Sequence, residues 1–309
     1  MKLIFLGTSG SIPTLKRGLP AIAIRREREL LLFDVGEGAQ RQMVLADLSP
    51  MKLDTIFITH LHGDHFLGLA GLVQTMSLMD REKKLEIYCP KGEGGRIRNY
   101  LEVPHYTLTF DVDVHELEAG EEVRREGYRI LTSEVDHSVP ALAYALVEDE
   151  RPGRFDPERA KALGVKPGPD FSRLRAGEIL RTRGGKVVKP RDVIGPPRPG
   201  RKVVYVGDTR PSEIVELARG ADVLIHDCTL SDELLKKAEE STHSTPSGAA
   251  NIAKRAGVKQ LVLFHISPRY EDDSVLLEQA RQIFPNTVVA RDLMVIELPL
   301  RGERAQLEG

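Results

Sequence analysis

The apolar positions of this chain fall mainly into short runs bounded by glycine, proline and charge. Residues 2–6, 21–25 and 30–34 are predicted strands, parted by the turn-rich Gly7-Thr8-Ser9-Gly10-Ser11-Ile12-Pro13 and by the charged stretch Arg25 to Glu29. Phe33-Asp34-Val35-Gly36-Glu37-Gly38 ends a strand in a carboxylate and a Gly-rich turn, and a helix near Ala39 to Ala46 follows. Asp54-Thr55-Ile56-Phe57-Ile58 is rich in β-branched and aromatic residues and predicts a buried strand. Phe66 to Leu78 repeats apolar residues at helical spacing; residues 85–90 predict a strand, Glu93 to Tyr100 a helix, and 107–148 a series of strands. The alternation resumes at 202–209, 222–227 and 260–265, near-continuous apolar runs of the kind found when both faces of a strand are covered. Helices near 247–256 and 273–283 and strands near 287–298 complete an α/β pattern in two halves, 1–148 and 201–309, with no repeat of solenoid length.

Residues 149–200 break the pattern. They are dense in proline and glycine (Gly164-Val165-Lys166-Pro167-Gly168-Pro169, then Gly195-Pro196-Pro197-Arg198-Pro199-Gly200) and short of apolar periodicity. The expectation is an inserted arm without a core of its own, carrying a helix at Pro157 to Leu163 and a hairpin around Gly184-Gly185. Charge sharpens that division. Between Arg151 and Lys202 stand 15 Lys and Arg against 5 Asp and Glu, a net of +10; with −2 for the whole chain, the remainder carries −12. A basic segment in an acidic body looks like a phosphate-binding appendage.

The other bulk properties exclude more than they assign. At 41% hydrophobic and 29% charged, the 309 residues suit an ordinary globular fold with a sizeable core. The N-terminal apolar run is too short for a signal peptide, and no run is long enough to span a bilayer, so a cytoplasmic protein without membrane association is expected. Cys89 and Cys228 lie far apart with no metal-binding spacing and predict buried, reduced thiols.

The chemistry concentrates in Thr59-His60-Leu61-His62-Gly63-Asp64-His65, where four metal-capable side chains fall within six positions at the C-terminal end of a predicted strand. Imidazoles with a carboxylate suit zinc or another divalent transition metal rather than calcium or magnesium. Of nine histidines, His60, His62, His65, His137, His226 and His265 end or directly follow an apolar strand, whereas His105 and His115 lack that setting. Asp208 ends a strand in the same way, and Asp34 is placed to orient the metal loop rather than to bind metal. This ligand count suffices for two cations ~3.5–4 Å apart with a carboxylate between them, the arrangement suited to in-line attack on a phosphodiester. His243 stands apart in a polar loop ahead of a helix, free to move protons.

These motifs, with Gly207-Asp208-Thr209, Thr242-His243-Ser244-Thr245 and Phe264-His265-Ile266-Ser267, resemble the metallo-β-lactamase superfamily and, within it, the ribonuclease Z family, over nearly the whole chain. The resemblance implies an αββα four-layer sandwich with an inserted flexible exosite arm, here 149–200, that binds tRNA. It implies two zinc ions per subunit, with manganese or another divalent metal as a substitute: one ion on His60, His62 and His137, the other on Asp64, His65 and His265, and Asp208 bridging. Asp64 would orient the attacking water, His243 would protonate the leaving 3′-oxygen, and Asp227, standing where the family often has Glu, would orient His243. His226 is then a structural residue. Gly164, Lys166, Pro167, Gly168 and Pro169 resemble the RNA-gripping tip of the arm. Lys16 and Arg17 match a loop that senses the CCA end, although Gly18 replaces the family's Asn.

The implied activity is an endonuclease that cuts precursor tRNA 3′ of the discriminator base, leaving 3′-hydroxyl and 5′-phosphate ends, with a homodimer as the acting form and no nucleotide cofactor. A general phosphodiesterase or small-ester hydrolase on the same scaffold is the alternative, and the arm discriminates because a small substrate has no use for it. A non-catalytic RNA-binding module would have no physical use for two metal sites with a proton donor beside them.

Overall fold

A computed structural model describes residues 1–211 and 214–300. Two compact units emerge: Met1–Val147 with Arg201–Pro299, and Glu148–Gly200.

The first unit is built on two seven-stranded sheets. One runs, in spatial order, Val295–Glu297, Lys2–Gly7, Ala21–Arg26, Glu29–Phe33, Leu53–Phe57, Leu85–Pro90 and Val112–Leu117. Its first four strands pair antiparallel and the rest parallel. The other runs Thr287–Val289, Gln260–Phe264, Val223–Asp227, Lys202–Tyr205, Leu142–Glu148, Tyr128–Glu134 and Glu122–Arg125. Here the first four strands are parallel, and Lys202–Tyr205 meets Leu142–Glu148 antiparallel.

Alternation along the strands decides the layers, because successive side chains leave a strand on opposite faces. Phe5, Leu31, Phe33 and Phe57 of the first sheet pack between the sheets against Tyr144, Tyr205, Ile225 and Phe264 of the second. Phe57 stacks on both Phe33 and Tyr88 with ring centroids 5.1 Å apart. Ile4, Leu30, Leu32 and Ile56 point the other way, under helices Ala39–Leu45, Leu69–Leu78 and Gly94–Glu102. Leu224, Leu261 and Leu263 do the same beneath Pro246–Ala256 and Ser274–Ile283. Strands buried on both faces account for the near-continuous apolar runs of the sequence, and the result is a helix–sheet–sheet–helix sandwich. Cys89 and Cys228 are buried and unpaired. Among the described residues no helix is long and apolar enough to cross a membrane.

The second unit differs from its expectation. Ala160, Val165, Leu174, Leu180, Val188 and Val193 form a small core of their own, flanked by Phe155, Leu163, Phe171 and Ile194. Helices Pro157–Ala162, Pro169–Arg175 and Pro190–Val193 and the hairpin Leu180–Arg181/Val187–Val188 supply the core side chains except Val165, which lies between the first two helices. Each element is too short to show periodicity, so the core was invisible in the pattern. Gly168, at φ 119°, precedes Pro169 at the first turn of a helix, so the Pro-Gly-Pro segment is a helix start.

Candidate metal centre and catalytic pocket

The candidate metal ligands of the first unit follow the C-terminal ends of strands, where ligands gather in open α/β sheets, whereas His243 lies in the loop ahead of helix Pro246–Ala256. Leu53–Phe57 leads into His60 and His62, and a short helix, Gly63–Phe66, in place of the expected loop turns Asp64 and His65 back toward them. His137 follows Tyr128–Glu134, Asp208 follows Lys202–Tyr205, and His265 directly follows Gln260–Phe264 with φ +60°. His60, His65 and His265 are fully buried, and Asp208 is 3% exposed.

The side chains converge in two overlapping groups, within each of which one ligand atom per residue lies within 4.8 Å of the others. In the first, His62 Nδ1 lies 3.1 Å from His60 Nε2 and 3.0 Å from His137 Nε2. In the second, His265 Nε2 lies 3.2 Å from Asp64 Oδ2, and His65 Nε2 lies 3.7 Å from it. Asp208 belongs to both: its carboxylate lies 3.2 Å from His265, 3.3 Å from His65 and 3.8 Å from His60. Nitrogens on a tetrahedral zinc stand roughly 3.3 Å apart, given bonds of about 2.0–2.1 Å, so these spacings suit a shared ion. His65 Nε2 and Asp208 Oδ1 are buried without a hydrogen-bond partner, which a protein interior rarely tolerates unless something else satisfies them.

Electrostatics agrees with that fit. Burial pushes His60, His62 and His137 below the usual imidazole range, so their lone pairs are available. Burial would raise the Asp208 carboxyl, but His265 and His65 outweigh it and hold it well below the ordinary range. Burial likewise opposes a charge on His65, yet Asp208 and Asp34 raise it well above normal. The carboxylates thus draw positive charge to the spot a divalent cation would occupy.

A further layer fixes these ligands. Asp34, fully buried at φ +56°, accepts the Nδ1–H of His65 at 2.7 Å, which leaves Nε2 facing the centre. It also accepts the Thr59 N–H at 2.7 Å, the Thr59 hydroxyl at 2.8 Å and the Tyr205 hydroxyl at 2.7 Å. The sequence pointed to Asp34 in this orienting role, whereas the hydroxyls of Thr59 and Tyr205 carried no signal.

His243 completes the pocket. Its ring stacks on His265 with centroids 5.1 Å apart, and its Nδ1 lies 2.8 Å from Asp227 Oδ2. The Asp carboxylate therefore reaches His243 without the extra methylene of Glu. It is held by the N–H groups of Thr209 at 3.1 Å and Thr229 at 2.9 Å. Burial disfavours the His243 charge, but Asp227 and Asp208 overcome this and raise it to about 9. Asp227, His243, Asp208 and His265 also form a ligand-like group, but the direct bond between Asp227 and His243 favours an orienting pair. The cavity over the site, about 580 Å³, is lined by Ile12, Pro13 and Leu19 together with His62, Asp64 and His243.

Other expected positions lie elsewhere. Of the two residues matched to the CCA-sensing loop, Lys16 is exposed, whereas Arg17 is 9% exposed and ion-paired to Asp273 at 2.5 Å. Gly164, Lys166, Pro167, Gly168 and Pro169 belong to the second unit. His226 is buried outside both ligand groups, its Nδ1 2.9 Å from the Asp227 carbonyl. His105 is exposed, and His115 stacks on Tyr88 at 4.8 Å.

Two facing sheets with paired His and Asp clusters at their strand ends define a hydrolase of metallo-β-lactamase fold. Residues 192–266 match the family model described as a beta-lactamase superfamily domain, and residues 1–151 match that described as anti-Pycsar protein Apyc1. The metallo-beta-lactamase fold protein YhfI from Bacillus subtilis superposes with a TM-score of 0.69 at 18% identity, covering 96% of this chain and 98% of its own. Closer relatives narrow the class. Ribonuclease Z of Methanosarcina acetivorans is 49% identical over 305 residues, 98% of this chain and 100% of the relative. Human tRNase Z, short form, is 31% identical with a TM-score of 0.71, covering 97% of this chain and 100% of its own. The chain belongs to the ribonuclease Z family and is a metal-dependent endoribonuclease.

Proposed function

We propose that this protein matures the 3′ end of tRNA, cutting precursor tRNA 3′ of the discriminator base to leave a 3′-hydroxyl and a 5′-phosphate. The observation that carries the reading is the meeting of two His/Asp ligand groups on Asp208, with the His243–Asp227 pair at 2.8 Å in the same pocket. His60, His62 and His137 would hold one zinc ion, Asp64, His65 and His265 the other, and Asp208 both. Bound there, a pair of divalent cations supplies charge neutralisation at the phosphoryl oxygens and a water acidified toward neutral pH.

The protein's own groups do the rest. Asp64 orients the water for in-line attack on phosphorus. As the bond from phosphorus to O3′ breaks, His243 passes its proton to that oxygen, and Asp227 keeps the imidazole aimed and charged. The high proton affinity of His243 supports an acid that arrives protonated at neutral pH.

The inserted 149–200 arm, with Gly164, Lys166, Pro167, Gly168 and Pro169, serves as the tRNA grip, and Lys16 meets RNA phosphate at the pocket loop. Family resemblance extends the proposal to a cytoplasmic homodimer in which each arm holds RNA cut by the partner subunit. Incubating the purified protein with a 3′-extended tRNA transcript, with and without chelator, and mapping the product end tests the core of it. Cleavage after the discriminator that chelator abolishes and Zn²⁺ restores is expected; cleavage elsewhere, or undiminished by chelator, would overturn it.

A further inference from the structure

The loop of residues 8–18 touches the metal centre with its backbone. Ser11 donates its N–H to Asp64 Oδ2 at 2.8 Å, and Gly10 donates to the carbonyl of Ile266 at 2.9 Å. A Cβ at Gly10 would stand 2.6 Å from Nδ1 of His265, so the bare backbone lies directly against that imidazole. Two residues assigned to the second cation, Asp64 and His265, thus rest on one loop.

The loop is closed at its neck, where the N–H groups of Thr8 and Ser9 both donate to the carbonyl of Gly18, at 3.0 and 2.9 Å. Asp292 braces the neck by accepting the Gly18 N–H at 2.6 Å and the Thr8 hydroxyl at 2.7 Å. Arg17 ties this neck to the body. Its Nη1 donates to Thr8 Oγ1 at 2.7 Å and to the Ala290 carbonyl at 2.6 Å, while Nη2 donates to Asp273 Oδ2 at 2.5 Å. Three partners share two nitrogens of one planar guanidinium, a fork that an ammonium, with its donors on a single nitrogen, cannot reproduce. A side chain so engaged has little left to offer a phosphate, unlike exposed Lys16 beside it.

We propose that Arg17, with Asp273, is a positioning residue of this ribonuclease: it locks the neck of the 8–18 loop so that the backbones of Gly10 and Ser11 hold His265 and Asp64 in register. Lys16 is then the RNA-facing cation of the loop. The inference rests on the proposed function for its catalytic readout and on the ligand geometry alone for its metal readout.

The test compares the full-length wild type with Arg17→Met, Arg17→Lys, Asp273→Asn and Lys16→Ala. Four quantities are measured: kcat and KM on a 3′-extended tRNA transcript and on bis(p-nitrophenyl) phosphate, Zn²⁺ affinity of the metal-free protein against a chromophoric chelator, and thermal unfolding. Supporting residues of metal sites typically influence affinity or activity by about 10–100-fold. Arg17→Met is therefore expected to lower kcat on both substrates and Zn²⁺ affinity by at least ~10-fold, with KM within ~3-fold. Arg17→Lys should recover part of the loss, and Lys16→Ala should instead raise KM for the transcript. A folded Arg17→Met that raises only the transcript KM, with Zn²⁺ affinity at the wild-type level, would place Arg17 on RNA and overturn the proposal. If Arg17→Met does not fold, a folded Asp273→Asn with wild-type kcat and Zn²⁺ affinity overturns it equally. A wild type that cuts neither substrate would refute the proposed function, while the Zn²⁺ titration still decides the role of Arg17.

Discussion

Replacing Asp34 by Asn keeps the shape of the side chain and alters only what it can accept. In the native protein Oδ2 takes three donors, the Thr59 hydroxyl, the Tyr205 hydroxyl and the His65 Nδ1–H, while Oδ1 takes the Thr59 N–H. An amide must place its NH₂ at one of these two positions. At the Oδ1 position it opposes the Thr59 N–H, a donor that cannot reorient. At the Oδ2 position the hydroxyls can rotate to accept, but His65 must move its proton from Nδ1 to Nε2, which removes the lone pair aimed at the metal centre. Either outcome leaves at least one buried polar group mismatched, worth about 1–3 kcal/mol of stability. Against a typical total of about 5–15 kcal/mol, the variant still folds. The functional loss is larger, because a flipped tautomer withdraws a ligand: about 10–100-fold in cation affinity and cleavage is expected. Competition with a chromophoric chelator, cleavage of bis(p-nitrophenyl) phosphate and thermal unfolding measure the three quantities. A folded Asp34→Asn protein with cation affinity and kcat within ~2-fold of wild type would refute the claim that this carboxylate sets the His65 tautomer.

His243→Ala should lower kcat by about 10²–10⁴-fold with little change in Zn²⁺ affinity, since its proposed role is proton transfer; a matching loss of Zn²⁺ would make it a ligand instead. Replacing residues 152–198 by a short Gly-Ser linker is feasible because Arg151 and Arg198 exchange backbone hydrogen bonds, both 2.8 Å. That variant should lose tRNA cleavage and the steep salt dependence of RNA binding yet retain bis(p-nitrophenyl) phosphate hydrolysis, and retained tRNA cleavage would tell against the arm as the RNA grip. Phe57→Ala removes a ring that is 1% exposed and stacked on two others, so a loss of about 3–5 kcal/mol is expected by denaturant unfolding. A loss below ~1 kcal/mol would mean that the space between the sheets collapses freely.

The sheets and the candidate ligands were legible in the chain because both follow from short-range rules. Apolar runs bounded by Gly, Pro and charge mark strands, and a histidine or aspartate at the end of each run is visible without knowing where that strand goes. The short helix Gly63–Phe66 and the core of the 149–200 arm lie beyond such short-range rules. Four residues are too few to show a period, and Ala160, Val165, Leu174, Leu180, Val188 and Val193 become neighbours only once several short elements have packed. The burial of Arg17 is not legible locally, because a cation in a polar loop reads as exposed until Asp273 and Ala290 arrive from more than 250 positions away.

By itself, then, the sequence determined the inventory: strands covered on both faces, imidazoles and carboxylates at their ends, a basic arm inside an acidic body. Tertiary structure alone decided which of those ends meet. Asp64 and His265 are 201 residues apart and come within 3.2 Å only because their strands lie in two facing sheets. It also decided the left-handed backbone at Asp34 and His265, a conformation that local preference disfavours and that persists because the surrounding contacts over-determine it. Pairing partners and enforced strain depend on contacts across the whole chain, and no local pattern of residues encodes them.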